Sequence, residues 1–100
     1  MNVFGKRLKH ARQLAGLSQE QVGIQADLDP MSASTRMNRY ELGKRAPDYE
    51  LVERLAFVLK VPTAYFYTGN DEEAQLLLAF HKLSKSKRAQ VMEFVSSLGR

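Results

Sequence analysis

Residues 18–45, "SQEQVGIQADLDPMSASTRMNRYELGKR", contain the local signals that decide the fold. Ser18 followed by Gln21 has the spacing of a capping box, in which two side chains satisfy the free N–H groups at a helix start. We expect this helix to be short and to end near Asp27. Gly23 lies within it and would let another backbone come close. The first third of the stretch therefore predicts one short helix.

A second helix follows and ends near Leu42, because Gly43 is typical of the residue after a helix. Its start has two alternatives. Asp29 could be the N-cap of a helix whose first residue is Pro30, or the segment could be a loop with Ser32 as the N-cap. In both cases the stretch predicts two helices separated by a turn.

The two helices have apolar residues that can pack against each other: Val22, Ala26, Met37 and Tyr40. This packing turns a polar face of the second helix outward: Ser34, Thr35, Asn38 and Arg39, with Arg36 at its flank. Arginine can form two hydrogen bonds with guanine, and asparagine suits adenine or a phosphate.

Helical spacing dominates the rest of the chain, and no alternating strand pattern is convincing. We expect a first helix over about residues 2–15, a fourth capped by Asp48 and a short fifth over 63–67. Two further helices, starting near Asp71 and at Ser84 or Ser86, would follow. The prediction is an all-α protein with a five-helix domain over residues 1–69 and a two-helix extension over residues 70–100.

Composition and charge narrow the class of protein. The chain has no cysteine, which excludes a disulfide scaffold and a thiolate metal site. It also lacks an apolar run long enough to span a bilayer, so the simplest expectation is a cytoplasmic protein. Residues 1–45 hold eight basic and four acidic side chains, whereas residues 46–73 hold two and six. This uneven distribution favours one cationic face and a nucleic-acid partner.

Signals of catalysis and of cofactor binding are weak. His10 and His81 lack spaced ligand partners, Ser18 is explained as a helix cap, and a glycine-rich phosphate loop is missing. We therefore expect no enzyme activity, no metal and no cofactor. No small-molecule ligand is evident, and any response to a ligand would have to come through the C-terminal helices.

Two segments make the chain resemble the Xre/Cro-like, or lambda-repressor-like, helix-turn-helix transcription regulators. They are "LKHARQLAGLSQEQVG" at residues 8–23 and "RMNRYELGKRAPDYELVERLAFVLKVPTAYFY" at residues 36–67. The Leu-Ser-Gln-Glu start, the Arg-Tyr-Glu-x-Gly core and the Pro-x-x-x-Leu-x-x-x-Leu-Ala tail together are specific. The resemblance covers roughly residues 4–67 and implies a lambda-repressor-like domain.

The resemblance also implies roles for individual residues. Arg12 and Glu41 would form a buried ion pair, and Gln19 would contact a DNA phosphate. Residues at base-reading positions are Ser34, Thr35 and Arg39, to which the outward Asn38 is added. Residues expected at phosphates are Lys44 and Arg45 of the following loop and Arg36. The alternative for Arg36 is to extend along the protein surface instead of reaching DNA.

The sequence departs from the family pattern at the turn. The turn is about four residues longer than the compact form, and Asp27 stands where the tight turn usually has glycine. Outside the motif, we expect Lys6, Arg7 and Lys9 to form a solvated helix face. Residues 65–67 should lie in the core with one tyrosine partly exposed.

Residues 70–100 have two interpretations, a hairpin packed on the domain or a dimer interface. Three consecutive leucines in this segment spread apolar surface wider than one helix face needs. We favour self-association through Leu77, Leu78, Phe80 and Phe94. The functional prediction is a bacterial or phage-derived homodimeric repressor that binds a double-stranded DNA operator through the helix around residues 32–42. The alternative is an antitoxin-type protein-interaction module on the same fold.

Overall fold

The computed structural model describes residues 2–100, which form six α-helices and one 3₁₀ helix. The helices are α1 (Val3–Ala15), α2 (Gln19–Gln25), α3 (Ala33–Glu41), α4 (Tyr49–Leu59), the 3₁₀ helix (Thr63–Tyr67), α5 (Asp71–His81) and α6 (Lys85–Leu98). The predicted all-α order of five helices followed by two is confirmed.

The residues on either side of helix α1 explain where it begins and ends. The Asn2 side-chain oxygen accepts a hydrogen bond from the Gly5 N–H at 2.8 Å. Gly16 follows the helix with a φ of 70°, a left-handed conformation that glycine adopts at little cost.

Helix α2 has the predicted capping box. The Ser18 hydroxyl accepts from the Gln21 N–H at 3.0 Å, and the Gln21 side chain accepts from the Ser18 N–H at 2.8 Å. Asp27 follows with a φ of 71°, so aspartate takes the left-handed position that the sequence pattern would give to glycine.

The start of α3 resolves the two alternatives in favour of the loop. Pro30 and Met31 belong to a turn, Ser32 is in the N-cap position, and the helix begins at Ala33. The Ser32 side chain makes no capping hydrogen bond within the described residues. Asp29 instead stabilises the turn, because its carboxylate accepts from the Met31 N–H at 2.9 Å.

Helix α4 starts as predicted, since the Asp48 carboxylate accepts from the Leu51 N–H at 2.8 Å. Its end lies earlier than the sequence predicts from Val61-Pro62, where proline disfavours helical backbone at the preceding residue. Lys60 has a φ of 58° and already reverses the chain after Leu59, before the proline is reached.

The core lies among α1, α2, α3, α4 and the 3₁₀ helix. Its largest fully buried side chains are Tyr65, Phe66, Leu8, Met37, Leu55, Val22 and Val52. Tyr65 and Phe66 are buried while Tyr67 is 57% exposed, as the sequence predicted for this aromatic run.

Two glycines allow helices to approach α3 closely. A Cβ atom at Gly23 would lie 2.8 Å from the Cβ of Ala33, so α2 and α3 are in backbone-to-side-chain contact. A Cβ atom at Gly5 would overlap the carbonyl oxygen of Glu41 and lie 2.9 Å from that of Tyr40. Both α1 and α2 therefore rest directly on α3.

Arg7 contradicts the prediction of a solvated face at residues 6, 7 and 9. Its side chain is buried, and its Nε and Nη2 donate to the Thr68 carbonyl and the Asp71 carboxylate, both at 2.9 Å. Lys6 is exposed and Lys9 half-buried. Arg7 falls in the apolar stripe of α1, three residues after Phe4, which is why it points inward and ties α1 to α5.

The two helices of the extension differ in their contacts, since α5 packs against the domain and α6 extends away from it. Ala74 of α5 belongs to the same core as the first four helices. Arg88 of α6 donates from Nε to the Phe80 carbonyl at 3.1 Å and from Nη2 to the His81 carbonyl, which fixes an elbow at the end of α5. The Cα atoms extend over 52 × 24 × 23 Å.

Helical spacing in the sequence predicts that Val91, Phe94, Val95 and Leu98 of α6 point inward, and for the last three this is wrong within one chain. Phe94, Val95 and Leu98 are 64%, 51% and 69% exposed. Within the portion of the chain that is described, we find no helix whose length and apolar character would suffice to cross a membrane.

Gly5→Ala should destabilise the domain by about 3 kcal/mol, the upper end of the overpacking range, because the new methyl group meets the backbone of α3. Urea unfolding followed by circular dichroism measures the free energy. Gly69→Ala is the matched control, since its Cβ would meet only Val3 at 3.8 Å. An unchanged unfolding midpoint for Gly5→Ala would contradict the close approach of α1 and α3.

Candidate nucleic-acid interface

Helices α2 and α3 form a packed pair whose inner faces are apolar. Val22 and Ala26 of α2 and Met37 and Tyr40 of α3 are buried, as the spacing predicted. The outer face of α3 is polar and solvent-exposed. Its exposed residues are Ser34, Thr35, Asn38 and Arg39.

The carboxylate of Glu41 holds α3 to two other elements. Glu41 is 3% exposed, and its Oε2 lies 2.6 Å from the Nε of Arg12 on α1. Its Oε1 accepts from Arg12 Nη2 and from Gln19 Nε2, both at 3.1 Å. Arg12 Nη1 also donates to the Leu17 carbonyl at 3.0 Å, just before α2 begins. The end of α3 is thus fixed to α1 and to the start of α2.

Gln19 joins this network to the outward face. Its Nε2 donates a second hydrogen bond to the Asn38 side-chain oxygen at 3.2 Å. The Asn38 amide is thereby oriented with its NH₂ group left to donate to a partner. Both N–H bonds of Gln19 Nε2 have partners inside the protein, so a phosphate contact by this group would share or replace one of them.

Three arginines converge beside Tyr40. Arg36, Arg39 and Arg45 border a shallow depression together with the Tyr40 ring. Arg36 is half-buried and donates from Nη2 to the Tyr40 hydroxyl at 3.0 Å, so it lies along α3. Arg39, Lys44 and Arg45 are exposed. These cations are close together in the sequence, and the fold shows that three of them line the same depression.

The interface combines a fixed helix, exposed polar side chains and a cluster of guanidinium groups. Arginine suits phosphate and guanine because its N–H groups form a planar fork. A double-stranded major groove is wide enough to admit a helix such as α3.

A family model described as a helix-turn-helix domain matches residues 3–64. The chain belongs to the helix-turn-helix domain family. The resemblance seen in the sequence is confirmed at this level.

One solved structure of the same shape is the crystal structure of the transcriptional regulator BswR, with a TM-score of 0.87 and 42% identity. The match covers 93% of this chain and 92% of that one. The aligned region therefore includes most of residues 65–100 in addition to the helix-turn-helix domain. A comparison of the sequence with curated proteins found no match.

Glu41→Ala should cost about 3–5 kcal/mol, because it leaves the guanidinium of Arg12 without its carboxylate. The measurement is the free energy of unfolding in urea. The exposed Glu53→Ala is the control and should change stability by less than about 0.5 kcal/mol.

The double variant Arg12→Met with Glu41→Leu separates the cost of an unpaired buried charge from the cost of lost side-chain packing. Since both charges are removed, we expect it to be more stable than Glu41→Ala alone. Equal stability of Glu41→Ala and the parent would show that the pair does not hold α3.

Proposed function

We propose that this protein is a sequence-specific regulator of transcription that binds a double-stranded DNA operator through α3. Occupancy of the operator would exclude other proteins from the site, which makes repression the expected outcome. The observation that carries the proposal is the exposed polar face of α3, held by the buried Glu41 network.

The residues divide into two groups by the chemistry of their contacts. Base reading is assigned to Ser34, Thr35, Asn38 and Arg39, which are exposed on one side of α3. Phosphate contact is assigned to Gln19, Arg36, Lys44 and Arg45. Phosphate contacts supply affinity and position the protein, while base contacts supply the choice of sequence.

Arg36 has a particular place in this scheme. Its hydrogen bond with the Tyr40 hydroxyl holds the guanidinium along the helix, where it adjoins Arg39 and Arg45. From that position it supports a phosphate contact at the edge of the groove better than a contact with a base. We therefore propose the phosphate role for Arg36 over the alternative, in which it lies along the protein surface instead of reaching DNA.

We further propose that the regulator is a homodimer joined through the extension. Helix α6 exposes Phe94, Val95 and Leu98 at helical spacing, and α5 exposes Leu76 with half-buried Leu77 and Phe80. Leu78, which the sequence assigned to the interface, packs against the hydrophobic core of the same chain. Two apolar sides on α5 explain the run of three leucines, since one side faces the core and the other faces outward.

Arg39→Ala should reduce affinity for a selected operator by about 1–3 kcal/mol and reduce discrimination against random DNA, with the fold intact. Lys44→Ala should weaken binding to every sequence and lower the salt slope by about one unit. Operators selected from random fragments, followed by titrations at several salt concentrations, measure both effects. Unchanged discrimination in Arg39→Ala would overturn the base-reading role.

Phe94→Glu should convert the dimer into a monomer, because a carboxylate cannot be buried unpaired in an apolar interface. Ser96→Glu adds the same charge to another side of α6 and should leave the dimer intact. Sedimentation equilibrium measures the mass of each variant. A monomeric parent chain would contradict the dimer and direct attention to a different protein as the partner of α6.

A further inference from the structure

A cleft between α1 and α5 has features that the proposed DNA contacts do not use. It has a volume of about 450 Å³ and lies on a different side of α1 from the Arg12–Glu41 pair. Lys6, Arg7 and Lys9 of α1 line one wall, and Ala74 and Leu78 of α5 line the other. Tyr65 lies between the two walls.

The Tyr65 hydroxyl lacks a hydrogen-bond partner among residues 2–100, although the residue is only 1% exposed. Burial raises the pKa of this hydroxyl above its usual value, and the nearby Arg7 opposes that shift. The group therefore stays protonated at neutral pH and is a donor without an acceptor. Buried donors of this kind are rare because leaving them unpaired is costly.

The surrounding charges favour an anion as the missing acceptor. Lys6, Arg7 and Lys9 contribute three positive charges, and Asp71 contributes the one carboxylate of the lining. The Arg7 Nη1 atom makes no hydrogen bond to any residue of the described chain 2–100. A concave surface with this excess of positive charge raises the local concentration of anions.

The existing partner of Arg7 is one that an incoming anion could replace. The Asp71 side chain is 79% exposed, whereas that of Arg7 is 9% exposed, so water can solvate the Asp71 carboxylate once an anion takes its place on Arg7. An anion that hydrogen-bonds Arg7 would release the carboxylate of Asp71, the first residue of α5. Ala74 and Leu78 offer an apolar wall for the carbon part of such a ligand.

We propose that this cleft binds a small organic oxyanion, a carboxylate or a phosphate ester, which accepts a hydrogen bond from the Tyr65 hydroxyl and pairs with Arg7 and Lys9. The site joins α1 of the helix-turn-helix domain to α5 of the extension, so its occupant would contact both. The proposal does not depend on DNA binding by α3.

Titrations of the full chain with citrate and with glycerol 3-phosphate, followed by backbone amide chemical shifts, test the site. At least one of the two should give saturable shifts around Lys9, Tyr65 and Ala74, and the comparison tells the carboxylate from the phosphate source. Failure of both to shift these amides, or shifts confined to Lys44 and Arg45, would overturn the proposal.

Two variants assign the affinity to the cleft. Tyr65→Phe removes the unpaired hydroxyl and should weaken binding at least tenfold without lowering the melting temperature of the ligand-free protein. Lys9→Gln provides an independent test at the rim and should weaken binding as well. Lys85→Gln removes an exposed cation at the start of α6, outside the cleft, and should bind the anion as the parent does. Equal affinity in Tyr65→Phe, Lys9→Gln and the parent would rule out the cleft.

Discussion

The hydrogen bonds on the Glu41 carboxylate are the constraint on which the rest of the structure depends. A nine-residue helix such as α3 is too short to be stable by itself, so its position comes from contacts with other elements. Glu41 receives hydrogen bonds from Arg12 on α1 and from Gln19 on α2, and these offset the cost of burying its charge. Through Gln19 the same network reaches Asn38, so the interior of the domain sets the orientation of an outward amide.

Much of the fold could be predicted because its signals are local. The capping box at Ser18 and the cap at Asp48 involve residues three positions apart, and each formed as the sequence indicated. The Arg12–Glu41 pairing was of another kind. It joins residues 29 positions apart and came from the family resemblance, since spacing alone would have left both as surface charges.

The features that sequence reasoning missed are those that depend on packing between distant segments. The spacing of Arg7 from Phe4 places it in the buried stripe of α1. It was nevertheless assigned to solvent, because an arginine is rarely buried without partners for its charge. Those partners, the carbonyl of Thr68 and the carboxylate of Asp71, are more than 60 positions away. Apolar residues recur at helical spacing on α6, but that spacing does not tell whether the same chain or another one covers them, and the expected inward direction was wrong.

The elbow between α5 and α6 has a consequence for the geometry of a dimer. Since a helix rises about 1.5 Å per residue, α6 is about 21 Å long. A rotation of about 10° at its N-terminus therefore moves its C-terminus by about 4 Å. Arg88 fixes the start of α6 by donating hydrogen bonds to two backbone carbonyls of α5. In a dimer joined through α6, these hydrogen bonds would set the distance between the two α3 helices. If the proposed dimer binds two half-sites, an arginine outside α2 and α3 would then influence which half-site spacings the protein can span.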